Sequence, residues 1–190
     1  CRWRRRPRFV RLQRPLPTPA VPLGRRALRQ RLAGMGVDDV DGVLAAYDAE
    51  GRAPVDILTA VMTDRSFRIP GIRTADLHRA HTPEVWSYLF DYRSPAMGGK
   101  LGSVHSLDIP FAFGTLTAEG MDEFCGSGAA VERLSGQIMD MWIGFARTGS
   151  PAHAGLPDWP CYADARETMR LGLDPRIDAD PLSKQRTVWG

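Results

Sequence analysis

Cysteine is scarce in this sequence, and the three that occur, Cys1, Cys125 and Cys161, form an odd set with no Cys-x-x-Cys spacing. That excludes a disulfide framework and a cysteine-rich zinc site, and it points to a reducing, cytoplasmic compartment. Long apolar runs are missing too, so no segment reads as a membrane-spanning helix and no membrane partner is expected. The N-terminus carries arginines but no apolar core of a secretory signal. No repeat at solenoid periods is visible.

Acidic residues are absent from residues 1–36, which hold 11 arginines. The other 14 of the 25 basic residues face 22 acidic ones, so residues 37–190 carry a net charge of about −8. Residues 1–22 also hold five prolines and only two aromatics, Trp3 and Phe9. Residues 1–36 therefore read as an Arg/Pro-rich arm, disordered or out of frame, rather than as a specific nucleic-acid binder that neutralises phosphates. The start at Cys1 reads as that of a partial chain. A lipid-carrying cysteine fits less well with the arginine block behind it.

What is present is one alternating helix-and-strand region over residues 37–190. Gly24 to Ala33 can form a short helix, with Leu28 and Leu32 one turn apart. Val37, Val40, Val43, Leu44 and Tyr47 repeat at helical spacing up to Gly51. Pro54 suits a helix start before Ile57, Leu58, Val61 and Met62. Pro70 opens a further helical segment, from Gly71 to about His81. The run Val85 to Tyr92 is aromatic and β-friendly, as in a strand buried on both faces. The longest helix is expected from Ala129 to Arg147, with Val131, Leu134, Ile138, Met141, Trp142 and Phe145 on one face and Gly149 as its cap. A short β-like run, Thr168 to Leu173, lies in the tail. The pattern is α/β. Only one strand is convincing, and one strand cannot satisfy its own edges, so the fold reads as topologically incomplete.

His105 is the residue that draws attention. It sits on a small-residue loop, Leu101 to Asp108, just after the expected strand and before Ile109-Pro110-Phe111-Ala112-Phe113-Gly114. That stretch could anchor the loop by burying two aromatics. Ligands of open α/β sheets bind at the carboxyl ends of strands, where this loop falls. Spacing alone favours a partly buried histidine that merely bonds to backbone.

The segment resembles the catalytic-histidine motif of the type-B carboxylesterase family, matching at Gly102, His105, Asp108, Ile109, Pro110, Phe111 and Phe113. Flanking motifs resemble the family in order and spacing. They are Thr63-Asp64-Arg65-Ser66-Phe67-Arg68-Ile69-Pro70, Val85 to Pro95, Met141 to Gly149, Trp159-Pro160-Cys161-Tyr162 and Arg166 to Met169. The resemblance implies the C-terminal portion of an α/β-hydrolase fold. It also implies hydrolysis of small-molecule carboxylic esters through a Ser-Glu/Asp-His triad, with His105 as general base and then acid. No cofactor or metal is implied.

The remaining parts of that machinery are not found in the sequence. No Gly-x-Ser-x-Gly occurs, and Gly126-Ser127-Gly128 follows the histidine and has Cys125 where a glycine belongs. There is no His-Gly-Gly-Gly-type oxyanion segment and no match to the motif of the catalytic acid. The chain alone is therefore expected to be inactive, and to partner the missing N-terminal part of its own fold. A non-catalytic interaction module of cholinesterase-like ancestry is the alternative. Asp108 reads as an orienting, capping or surface carboxylate, and Asp64 as structural. His78 and His81 with Asp76 could share a metal-binding helix face, but a solvated surface is the simpler account. His153 has no evident partner, and Cys125 and Cys161 read as inert thiols.

Overall fold

A computed structural model describes residues 23–48 and 52–190. Among the described residues a helical unit comes first. Helices α1 (Arg25–Gly34), α2 (Val40–Tyr47) and α3 (Pro54–Thr63) bury Leu28, Leu32, Val43, Tyr47, Ile57 and Val61 in one core. Leu28 and Leu32, four residues apart, give α1 its single buried edge. Asp39 caps α2 by accepting from the Gly42 N–H at 2.8 Å. Helix α2 thus starts three residues later than the apolar spacing suggests, with Val37 buried in the preceding turn. The expected stop at Gly51 lies outside the described residues. Helix α1 lies within the arm assigned to residues 1–36 and is packed on the first core, while residues 1–22 lie outside the described residues.

Pro70 does not open a separate segment. Helix α3 runs through a π turn, Asp64–Arg68, directly into α4 (Ile69–His78). Proline has no N–H for the carbonyl four residues back and its ring crowds that carbonyl. The widened turn absorbs the defect by sending the Ile69 N–H to the Asp64 carbonyl.

The sheet has three strands in the order β1 (Ser87–Phe90), β2 (Glu167–Leu171) and β3 (Arg176–Ala179). β1 and β2 are parallel, with Ser87 opposite Thr168 and Phe90 opposite Leu171, and β2 and β3 are antiparallel. The expectation of a single convincing strand is thereby corrected. β2 realises the short β-like run in the tail, whereas β3 is a four-residue edge strand, Arg-Ile-Asp-Ala, whose one large apolar residue, Ile177, is too little for its alternation to stand out. β1 is not buried on both faces, and Tyr88 is 38% exposed. Among the described residues β1 pairs on one side only, so half of its ladder and much of its side-chain surface are uncovered.

The long helix α7 (Ala129–Thr148) follows two short helices, α5 (Ile109–Ala112) and α6 (Met121–Cys125). Its Val131, Leu134, Ile138 and Met141 join Leu107, Phe111, Met169 and Leu171 in the second core. Gly149 ends it in the left-handed conformation, φ +78°, donating to the Phe145 carbonyl at 2.9 Å. Trp142 and Phe145 remain exposed and meet Tyr88 and Trp86 edge to face. The last helix, α8 (Ser183–Thr187), returns the chain to the helical unit, where Gln185 donates to the Ala46 carbonyl and Trp189 packs on the first core. No helix among the described residues is long and apolar enough to cross a membrane.

Candidate active site

The loop after β1 is built from backbone first. Past Phe90 the chain turns back on itself, with Ser94 and Gly102 forming an antiparallel bridge in which the Ser94 N–H meets the Gly102 carbonyl at 3.0 Å. Gly102 sits at φ +67°, which its missing side chain permits without strain. Ser103 then ties the loop to the strand by donating its hydroxyl to the Phe90 carbonyl at 3.1 Å. Two tight turns follow, the Leu107 N–H to Val104 and the Ile109 N–H to Ser106, with Ser106 itself at φ +69°.

Anchorage comes from below. Leu107 and Phe111 are fully buried, and the Phe111 ring lies 5.0 Å from Tyr92 and 5.6 Å from Phe90. Ser135 of α7 donates to the Phe111 carbonyl at 2.9 Å. Only one of the two aromatics of the Ile-Pro-Phe-x-Phe stretch is an anchor. Phe113 is 76% exposed, because Ile109–Ala112 forms a helical turn that carries Phe113 round to the outer side.

His105 is exposed on this loop, two residues past Ser103, which is bonded to the last residue of β1. Its imidazole stacks on Phe67, with centroids 5.6 Å apart and planes inclined by 20°. Phe67 projects from the π turn, whose two ends, Asp64 and Arg68, form a buried ion pair. Tyr47 donates to the same carboxylate at 2.5 Å and itself accepts from the Trp189 indole at 2.7 Å. Burial, followed by this bond to Asp64, pushes the Tyr47 phenol well above its ordinary pKa.

Asp108 does not cap α5 with its side chain. Its backbone carbonyl accepts from the Ala112 N–H, and the carboxylate lies close enough to Tyr88 to help raise that phenol, whose shift comes first from burial. Asp76 is taken by Tyr162, which donates to it at 2.9 Å, and by Arg166, so it does not join His78 and His81. Among the described residues no three His, Cys, Asp or Glu side chains are grouped to hold a metal. His153 has partners after all, the Gln137 carbonyl at Nε2 at 3.0 Å and the Gly155 N–H, which donates to Nδ1 at 3.0 Å. Cys125 is buried and Cys161 exposed, both free. Ser127 is exposed between Gly126 and Gly128, on the link from α6 to α7.

The model of the carboxylesterase family matches residues 41–189. The chain belongs to the carboxylesterase family. It is 35% identical over 143 residues to the phenmedipham hydrolase of Pseudarthrobacter oxydans, covering 70% of this chain and 28% of that enzyme. Identity to the para-nitrobenzyl esterase of Bacillus subtilis is 34% over 129 residues, 66% of this chain and 25% of that one. In structure it resembles the Geobacillus stearothermophilus carboxylesterase EST55, with a TM-score of 0.70 at 29% identity over 85% of this chain and 35% of that one. The fold is thus part of an α/β-hydrolase fold, and the chain spans about a quarter to a third of the length of these relatives.

As a carboxylesterase segment, the chain gives physical reasons for its motifs. Asp64 and Arg68 lock the π turn before Pro70. Tyr162 and Arg166 clamp Asp76 and so tie α4 to the approach of β2. Met169 fills the second core. Phe67 is the contact that reasoning from sequence missed. Its only signal was its place in the Thr-Asp-x-x-Phe-Arg-Ile-Pro match, which named the residue without saying what it touches.

Proposed function

We propose that this chain supplies the histidine end of a serine carboxylesterase, in which His105 acts first as general base toward a serine and then as general acid toward the leaving alcohol. The observation that carries this reading is the exposed His105 on a loop tied by Ser103 to Phe90, the last residue of β1, anchored by Leu107 and Phe111 and with its imidazole in an offset stack on Phe67. No hydrogen bond among the described residues engages the ring, unlike that of His153. Its two nitrogens therefore stand open for an acid and a nucleophile. The substrate class is small-molecule carboxylic esters, in keeping with the hydrolase names of the relatives.

Residues 1–190 contain no Gly-x-Ser-x-Gly, so the nucleophile and the acid come from a further segment of the same fold, and these residues by themselves are silent. Loss of a triad nucleophile costs roughly a millionfold in turnover. The test has two arms. The purified chain is assayed on para-nitrophenyl butyrate and treated with a fluorophosphonate probe, and neither turnover nor labelling is expected. The chain is also grafted in place of the matching quarter of the Bacillus subtilis enzyme. A folded graft should hydrolyse the ester and lose that activity with His105→Ala. Equal turnover before and after that substitution sinks the assignment.

A further inference from the structure

We infer that Phe67 is a positioning residue that holds the His105 imidazole in its working orientation, and that the Asp64–Arg68 pair fixes Phe67 in turn. The inference rests on the reading of His105 as general base.

Three observations converge on it. Phe67 is 62% exposed, so it contributes little to either core, and the near-parallel stack on His105 is its defining contact. It projects from a π turn, which adds a residue to one helical turn and so re-aims the side chains it carries. The two ends of that turn are held rigidly. Asp64 is bound by Arg68 through two hydrogen bonds and by Tyr47 through a third, and Arg68 reaches on to the Pro181 carbonyl at 3.2 Å.

The geometry of the contact suits the task. An exposed imidazole samples several rotamers, and a catalytic one must be confined to one of them. An offset, near-parallel stack restricts the ring without bonding to either nitrogen, and Nδ1 and Nε2 both point in the ring plane. A hydrogen bond from a neighbour would instead have occupied one of the nitrogens that acid and nucleophile need. From the far side the same loop is pinned by Leu107 and Phe111, so His105 is held between a buried anchor and an outer aromatic plate.

The test is a 13C/15N NMR spectrum of the 190-residue chain labelled at histidine, leucine methyl and phenylalanine ring positions, whose four histidines are assigned by single His→Gln variants and whose Leu107 and Phe111 signals by Leu107→Ile and Phe111→Leu. The His105 ring protons are expected upfield of those of the exposed His78 and His81. Phe67→Ala should move them to the exposed position and increase ring mobility. Phe67→Tyr should restore them. Asp64→Asn should shift them part of the way, with the Leu107 methyl and Phe111 ring signals unmoved. His105 signals that ignore Phe67→Ala, or that move only together with those of Leu107 and Phe111, overturn the inference. The spectrum needs no turnover. A missing stack beside a His105-dependent graft thus defeats this inference alone, whereas a graft indifferent to His105→Ala defeats the catalytic reading and leaves the stack a structural contact with no working orientation to hold.

Discussion

Asp64 and Arg68 grip each other across the π turn, Nε to Oδ1 at 2.8 Å and Nη2 to Oδ2 at 2.6 Å, with the two side chains only 8% and 10% exposed. A buried pair of this kind is a weak source of net stability, but removing one partner leaves a charge without compensation. Asp64→Ala is therefore expected to lower the unfolding free energy by about 3–5 kcal/mol, and Arg68→Met by a similar amount. Urea denaturation of the two single variants and the double variant checks this. The double variant should be more stable than the sum of the singles predicts, and simple additivity would show that the two groups do not depend on each other.

Tyr47 donates into that pair and receives the Trp189 indole N–H, joining the first core to the end of the chain. Its phenol is raised by burial first and by Asp64 second. The unfolded chain loses this proton near the ordinary value of about 10, before the folded chain does. The stabilisation is therefore fully present below about pH 10 and is lost as the pH climbs toward the folded value. Tyr47→Phe should cost about 1–3 kcal/mol at neutral pH, because Asp64 and the indole are left short of a partner. It should also flatten the alkaline fall of the urea midpoint. The slope should not vanish, since burial raises Tyr88, Tyr92 and Tyr162 as well. An unchanged slope in Tyr47→Phe would contradict the assignment.

Much of this arrangement was legible in the residues themselves. The α7 helix ends within one residue of its expected limit, because an apolar stripe and a glycine cap both speak locally. β3 was not legible, since Arg176–Ala179 is only four residues long with one large apolar side chain, Ile177, and is held by its ladder to β2 and by the Arg170–Asp178 ion pair. Nor was the continuity of α3 and α4. Pro70 read as a start because the π turn that accommodates it depends on the distant partners Tyr47 and Pro181. The loop of His105 was legible as a motif, but not the stack on Phe67, which joins residues 38 positions apart through tertiary packing.

Phe111 and Phe113 separate an anchor from a bystander two residues away. Phe111 is fully buried against Phe90 and Tyr92, whereas Phe113 is 76% exposed. Phe111→Ala should destabilise by about 3–5 kcal/mol and broaden the His105 resonances as the loop loosens. Phe113→Ala should stay within about 0.5 kcal/mol of the parent chain. Thermal unfolding of both variants checks the contrast, and a large loss in Phe113→Ala would mean that this face is covered in solution.

Trp159 poses the converse case, a buried side chain whose polar atom has no partner. It is 6% exposed, and among the described residues nothing accepts from its indole N–H. An unsatisfied buried donor costs roughly 1–3 kcal/mol, so a large part of what the ring contributes by burial is offset. Trp159→Phe removes that donor and keeps most of the apolar volume, so the change should be close to neutral, within about 1 kcal/mol. Trp159→Ala keeps neither and should cost about 3–5 kcal/mol. Urea midpoints of the two variants decide. If Trp159→Phe is as damaging as Trp159→Ala, the indole N–H has an acceptor in solution, and the groove it lines with Trp86 and Trp142 is the place to look for it.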